Sequence, residues 1–267
     1  MAAGQKRSYF PMPNEPIESP AQPGSEAPAS PTTTKAIAPL WNTLLVMALI
    51  LANSLLGSTK TSHIKAGNAR ILVYSGTFVV ELILFLIMWL GIRKRIRVRE
   101  LIGGGWNKVE DFLLDLGIGI VFLIVAAFLL AGLRIALGTL DLTHLDKQLE
   151  ETKRTLGPLI PHSKLEAGLF VLLSMCAGFF EEVIFRGYLQ RQIGNVSGRI
   201  WVGITASAVL FGAAHGYQGW RMMIVIAVFG AFFGILAHFR RSLRPGIIAH
   251  AIQDAYSGVA LFFLVNR

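Results

Sequence analysis

The chain has 267 residues, of which 53% are hydrophobic and only 15% are charged. A soluble domain carries about 25% charged residues, so this composition excludes an ordinary soluble protein and predicts an integral membrane protein. The formal net charge of +9 does not indicate nucleic-acid binding, because the cations cluster beside apolar runs, as in GIRKRIRVRE (91–100) and HFRRSLR (238–244). No phosphate-binding glycine loop or dinucleotide motif is present, which removes most nucleotide-driven functions.

The N-terminal segment, residues 1–36, is rich in Pro, Ser, Thr and Ala and poor in large aliphatic residues. It cannot bury enough apolar surface to offset the entropy lost on ordering, so we predict a disordered tail. The first apolar run begins only after this tail and is of full length. It therefore indicates a retained membrane anchor rather than a secretory signal.

Apolar runs of about 20 residues are long enough to cross a bilayer core of about 30 Å as helices. Because every backbone polar group in lipid must be paired within the protein, such runs predict an all-α, polytopic transmembrane bundle. The predicted organisation has an N-terminal membrane unit (37–137), an extracytoplasmic connection (138–165) and a C-terminal unit of four helices (166–265). About seven spans are predicted, near 37–57, 71–92, 112–137, 166–190, 199–214, 221–239 and 246–265.

The distribution of cations predicts a multi-pass protein of the cell membrane with a cytoplasmic N-terminus. The positive-inside rule places the basic segment 91–100 in the cytoplasm, and alternation of the spans then fixes the rest. We expect the basic cytoplasmic loops to contact anionic lipid as well.

Two adjacent carboxylates and an arginine occur within the fourth predicted span, in CAGFFEEVIFRGYLQ (176–190). An ionisable group at the centre of a membrane helix costs about 3 kcal/mol, so it indicates a function by default. Glu182 and Arg186 are four residues apart and are expected to form a structural ion pair, which leaves Glu181 as a desolvated general base. The alternative is that both acids only hold Arg186.

Three further polar residues lie in later spans. His215 ends LFGAAHG and taken alone is more typical of a packing or interfacial histidine, whereas His250 and Asp254 are four residues apart on one helix face. A structural pair would also explain His250 and Asp254. Together with Glu181, however, these residues form a set that can hold Zn²⁺ with an open position, or can polarise a water directly.

Other polar and small residues in the spans are interpreted structurally. Glu81 and Asp115 are lone acids and are expected to serve packing or orientation, and Gly230 and Gly234 are expected to allow close helix packing. On straight helices Glu181 and His250 lie within about 15 Å and about 8 Å of the cytoplasmic ends of their spans, whereas His215 falls near the outer end. Either HGYQGW (215–220) folds back into the membrane or the span boundaries are shifted.

The ordered motifs EEVIFR (181–186), FGAAH (211–215) and HAIQD (250–254) resemble those of the CPBP family of intramembrane proteases, named for CAAX prenyl endopeptidases and bacteriocin processing. The similarity covers roughly residues 165–258, and it implies that the C-terminal helices (166–265) form a four-helix catalytic core. It implies that Glu181 activates water, that His215 and His250 hold the metal or water and the developing oxyanion, and that Asp254 assists. Glu182, Arg186 and Phe211 would be supporting residues. Any metal would be bound by Glu181, His215, His250 and Asp254.

The resemblance implies a CAAX-type intramembrane endopeptidase, a metalloendopeptidase if a metal is bound, that acts on a membrane-associated substrate of the prenylated CAAX or bacteriocin-related kind. Two other functions stay open on the residues alone. The polar set also suits a cation- or proton-coupled transporter, although no paired halves with broken helices are found. A non-catalytic scaffold or immunity protein would use the polar core only for structure.

Overall fold

The fold is known from a computed structural model that describes residues 36–60 and 69–266, and all of its regular secondary structure in these ranges is helical. The predicted all-α membrane bundle is therefore confirmed. The predicted tail (1–36) lies outside the described residues except for Ala36, so its disorder stays a prediction. The helices are α1 (Leu40–Lys60), α2 (Ala69–Ile92), α3 (Val98–Ile102), α4 (Val109–Ala136), α5 (Leu145–Leu156), α6 (Lys164–Glu181), α7 (Gln190–Ser197), α8 (Ile200–Ala214), α9 (Trp220–Arg240) and α10 (Arg244–Val265).

Seven of these helical segments correspond to the seven predicted spans. Within the described residues, five are long and apolar enough to cross a bilayer, and two shorter apolar helices, Leu40–Leu56 and Ile200–Ala214, complete the set. Large apolar side chains such as Leu72 and Phe128 are 74% and 77% exposed, as expected for surfaces that face lipid.

The fourth span is longer than predicted. A π-helical segment, Glu182–Leu189, joins α6 to α7 without a break, so the helix continues to Ser197 instead of ending near residue 190. The polar residues beyond 189 lie within a helix whose side chains find hydrogen-bond partners elsewhere in the protein. Gln190 donates to the carbonyl of Gly234 (3.0 Å), and Gln192 is hydrogen-bonded to the backbone at Ala38.

The short helices lie in the connections between spans. Helix α5 lies in the connection 138–165 and ends before Pro158, and none of its residues is buried. Helix α3 packs near the connection between α9 and α10, where the backbone N–H of Leu243 donates to the carbonyl of Ile102 (2.9 Å).

The core is centred on the π-helical segment. Every residue from Glu182 to Leu189 is buried, and the apolar ones contact residues of α1, α2, α8 and α9, including Val46, Met88 and Phe211. The two carboxylates and the arginine of EEVIFR therefore lie at the centre of the bundle and not on its lipid-facing surface.

Candidate active site

Glu181 and Glu182 have different environments because they are adjacent on a helix and point in different directions. The Glu182 side chain is 0% exposed, and its Oε1 lies 2.9 Å from Nη1 of Arg186 and 3.1 Å from Nδ1 of His250. The Glu181 side chain is 21% exposed, and its Oε2 lies 3.5 Å from Nε2 of His250. Glu182 thus interacts only with other residues of the protein, whereas Glu181 keeps an accessible oxygen.

Arg186 is held on several sides, although it is fully buried. Besides its ion pair with Glu182, it donates to the carbonyl of Gly230 (3.1 Å). Its guanidinium lies 4.2 Å from the ring centre of Phe211 and 5.1 Å from that of Phe233. A guanidinium can stack on aromatic faces, which compensates part of its lost hydration.

Gly230 and Gly234 pack against polar side chains as well as against a helix. A β-carbon at Gly230 would lie 3.0 Å from the Phe211 ring and 3.2 Å from Nη2 of Arg186, and one at Gly234 would lie 2.6 Å from Oε1 of Gln190. These glycines therefore allow close packing, as predicted, and they also let Arg186 and Gln190 reach their carbonyl oxygens.

Phe211 links the two histidines of the site. Its ring centre lies 4.9 Å from that of His215 and 5.8 Å from that of His250. Nδ1 of His215 lies 2.8 Å from the carbonyl oxygen of Phe211, to which it donates, and Nδ1 of His250 faces Glu182. In both histidines Nδ1 is therefore used within the protein, and Nε2 is the nitrogen left for a reacting group.

Asp254 completes the set on the exposed side. Its Oδ2 lies 3.7 Å from Nε2 of His250, and its side chain is 40% exposed. Nε2 of His250 consequently faces two carboxylates, those of Glu181 and Asp254, both of which are more accessible than the imidazole itself.

The span boundaries, shifted from those predicted, explain how the three motifs reach one level. Helix α10 runs antiparallel to α6, and the register places His250 beside Glu181 and Glu182. The contacts that define it are Leu243 with Gly187, Ala251 with Gly178, and Gly258 with Phe170. Helix α10 therefore begins deeper in the bundle than the point at which α7 ends. Straight spans with the predicted bounds do not give this arrangement.

Helix α8 brings His215 to the same level from the other side. Ser207 donates to the carbonyl of Phe185 (2.7 Å), and the rings of Phe185 and Phe211 lie 5.0 Å apart. Continuing this antiparallel register by one turn places His215 near Glu181. With 15 residues, α8 is about 22 Å long, which is shorter than a bilayer core of about 30 Å. HGYQGW continues as a short 3₁₀ turn, Gly216–Gln218, before α9.

The donor set suits Zn²⁺ chemically, because two imidazole nitrogens and two carboxylates converge on one region. Across residues 36–60 and 69–266, however, no group of three or more His, Cys, Asp or Glu side chains is placed closely enough to hold a metal ion. The side-chain positions therefore do not form a metal site as they stand, and the reaction steps below are derived without one.

The interpretation of Asp115 as a lone acid is wrong. Asp115 is fully buried and accepts hydrogen bonds from Trp106 Nε1 (2.9 Å) and from Arg240 (3.0 Å), and its Oδ2 lies 2.8 Å from Nε of Arg244. This cluster ties α4 to the connection between α9 and α10. Its role is structural, as the sequence suggested, but it has partners that lie far away in the sequence.

Glu81 was also interpreted as a packing residue, yet α2 places it beside the site. Phe78 and Phe85 on the same face of α2 contact Phe180 at ring distances of 6.0 and 5.2 Å, and Phe180 immediately precedes Glu181. The charges that act on Glu81 are those of Glu181, His250 and Asp254. The sequence signal was an acid in the middle of an apolar helix, which indicates function by default.

Comparison with known proteins gives one result for this region. Residues 163–256 match the family model described as "Rce1-like: Type II CAAX prenyl endopeptidase Rce1-like". Comparisons with curated proteins and with solved structures gave no match. The match spans all three motifs and confirms the resemblance derived from them: residues 163–256 of this membrane protein match the model of Rce1-like type II CAAX prenyl endopeptidases of the CPBP family.

Proposed function

We propose that this protein is an intramembrane endopeptidase that hydrolyses a peptide bond of a membrane-associated substrate through a water activated by Glu181. The family match supports a CAAX-type intramembrane protease in general. The observation that carries the mechanism is the contrast between the two neighbouring acids. Glu182 is sealed by Arg186 and His250, whereas Glu181 keeps an accessible carboxylate 3.5 Å from Nε2 of His250.

In the proposed reaction, Glu181 takes a proton from a water as the oxygen attacks the scissile carbonyl carbon. His250 acts as an imidazolium: Glu182 holds its Nδ1–H, and its Nε2–H stabilises the developing oxyanion. His215, fixed through Nδ1 by the carbonyl of Phe211, lines the same region with Nε2. The proton on Glu181 then passes to the leaving nitrogen, and Asp254 stabilises the charge of His250.

The substrate that we propose is a peptide tethered to the membrane, either prenylated as in CAAX proteins or unprenylated as in bacteriocin-related precursors. The apolar surfaces of the bundle and the depth of the site in the helices suit a substrate that is already concentrated in the bilayer. We also propose that the basic loops contact anionic lipid, which would raise activity in vesicles that contain phosphatidylglycerol.

Cleavage of membrane-tethered peptides by purified protein in liposomes tests this function. The panel contains prenylated and unprenylated peptides, and the variants are Glu181→Gln and His250→Ala. Glu151→Gln is the matched control, because Glu151 lies on the exposed face of α5 and its side chain is 71% exposed. We expect both site variants to lose cleavage by about 100-fold or more while the control keeps it.

Chelation followed by addition of zinc decides between the two forms of the hydrolytic site. Cleavage that survives chelation supports a water activated by Glu181 alone, and cleavage restored only by zinc establishes a metalloendopeptidase. Well-folded protein that cleaves nothing across the panel would overturn the proposal and favour the transporter or the scaffold.

A further inference from the structure

A buried carboxyl group that the proposed reaction does not use lies at Glu81. Three acidic residues are buried in the described part of the chain: Glu81, Asp115 and Glu182. Asp115 is paired with two arginines, and Glu182 with Arg186 and His250. Oε2 of Glu182 also lacks a hydrogen-bond partner, but its Oε1 contacts both cations. Glu81, in contrast, forms no ion pair with any described residue, and its buried Oε2 has no hydrogen-bond partner among them.

The position of Glu81 on its helix is one that a packing residue would normally occupy. The buried residues of α2 are Tyr74, Glu81, Met88 and Ile92, and the first three recur every seven positions, which is the spacing of a helix seam. A carboxyl in such a position is desolvated and lowers stability unless it is paired. An apolar residue would pack there without this penalty, so the acid is not explained by the fold.

Glu81 lies on the side of α2 that packs against α6, near the reaction site, and not on the side that faces lipid. Phe78 and Phe85 lie one turn to either side of it on the same face, and both contact Phe180 of α6. The charged groups that act electrostatically on Glu81 are Glu181 on α6 and both His250 and Asp254 on α10. The only cation among these, His250, already faces three other carboxylates. None of these described groups is therefore a free cation that could pair with Glu81.

We propose that Glu81 binds the amine of the leaving fragment, an inference that rests on the proposed peptidase function. Hydrolysis adds the oxygen of water to the carbonyl carbon and breaks the C–N bond. The products are a carboxylate and a fragment whose nitrogen has gained both water protons as an ammonium group. That ammonium is the one new cation that the reaction creates, and it arises beside Glu181. A carboxylate with a free oxygen is its natural partner.

Binding of a product analogue tests this subsite without requiring turnover. The probes are the apolar tripeptide valyl-isoleucyl-serine with a free N-terminus and the same tripeptide with an acetylated N-terminus. Two readouts are used on purified protein in nanodiscs: the ligand-induced rise in the unfolding temperature and, with a cleaved substrate, the inhibition constant. We expect the free amine to bind about ten- to a hundredfold more tightly than the acetylated form.

Substitutions at Glu81 separate a binding role from a structural one. Glu81→Gln keeps the size of the side chain, and Glu81→Leu supplies the apolar residue that the seam favours. Both are expected to bind the two tripeptides equally, while Glu81→Leu unfolds at the same temperature as the wild type or higher. Met88→Leu, a conservative change in the same seam, is expected to keep the preference for the free amine.

Equal binding of the two tripeptides by the wild type, or a preference that survives in Glu81→Gln, would overturn the inference. A loss of the preference together with a large fall in the unfolding temperature of both Glu81 variants would also overturn it, because Glu81 would then be structural. These outcomes are distinct from failure of the proposed function, which is read from cleavage in the Glu181→Gln variant.

Discussion

The ion pair between Glu182 and Arg186 makes a quantitative prediction about stability. Both side chains are essentially unexposed, and the guanidinium also stacks 4.2 Å from the ring centre of Phe211. Arg186→Met keeps an unbranched apolar side chain but leaves the carboxylate of Glu182 buried without its arginine. Removing one partner of a buried pair costs about 3–5 kcal/mol, so we expect a loss of this size in the free energy of unfolding.

A double-mutant cycle separates the ion pair from simple loss of packing. Replacing a whole buried pair with uncharged groups is often nearly neutral, so Glu182→Gln with Arg186→Met is expected to unfold within about 2 kcal/mol of the wild type. The remaining loss is the cation–π contact with Phe211, which contributes about 2 kcal/mol when desolvated. The double variant should then be about 1–3 kcal/mol more stable than Arg186→Met alone, and this difference reports the coupling between the two sites.

Reversible unfolding in bicelles, followed for the wild type, both single variants and the double variant, measures this coupling. A double variant that is no more stable than Arg186→Met alone would refute the reasoning, because the carboxylate would then not need the arginine. A loss below about 1 kcal/mol for Arg186→Met would have the same meaning and would place the pair among weak, solvent-screened ones.

Three further changes are expected to give measurable results. Gly230→Ala should lower the free energy of unfolding by about 1–3 kcal/mol, because the new methyl group would press on the side chains of Phe211 and Arg186. The control Gly76→Ala has nothing within 4 Å of the new methyl group and should be neutral or stabilising. Equal losses in the two variants would contradict this. Asp115→Ala should cost about 3 kcal/mol in the same unfolding assay, because it leaves two arginines and a tryptophan N–H without their acceptor, and a neutral result would contradict the cluster. Hydrogen bonds from the neighbouring threonine and histidine lower the pKa of Asp141 to about 2, so its contribution to stability is present above its unfolded pKa and is lost as the pH falls through about 2. Thr143→Val should raise that pKa in a carboxyl NMR titration, and an unchanged pKa would exclude the threonine as its cause.

Much of the candidate site follows from the sequence because its spacing is local. Glu182 and Arg186 are one helical turn apart, as are His250 and Asp254, so each pair could be placed on one helix face before any tertiary contact was known. The order of the three motifs then indicated the family resemblance, which the match over residues 163–256 confirms. The reacting roles of these residues stay predictions.

The neighbours of Glu81 and Asp115 could not be predicted in the same way. Asp115 is held by Arg240 and Arg244, and Glu81 faces groups on α6 and α10, in each case from distant parts of the chain. Hydrophobic periodicity indicates that a residue lies in a seam, but it does not indicate which helix supplies the other half. An acid that is alone along the sequence can therefore be well surrounded in space.

The sequence by itself determined that this protein is a helical membrane bundle, because bilayer thickness and backbone hydrogen bonding leave few other structures for apolar runs of this length. It also determined which polar residues needed an explanation, since ionisable groups in such runs are costly. Only the tertiary structure decided that the site lies at one level, through a helix that continues past residue 190 and a last helix that begins inside the bundle. Those depths depend on helix packing and on polar groups satisfied by other helices, and neither is encoded in the pattern of any single span.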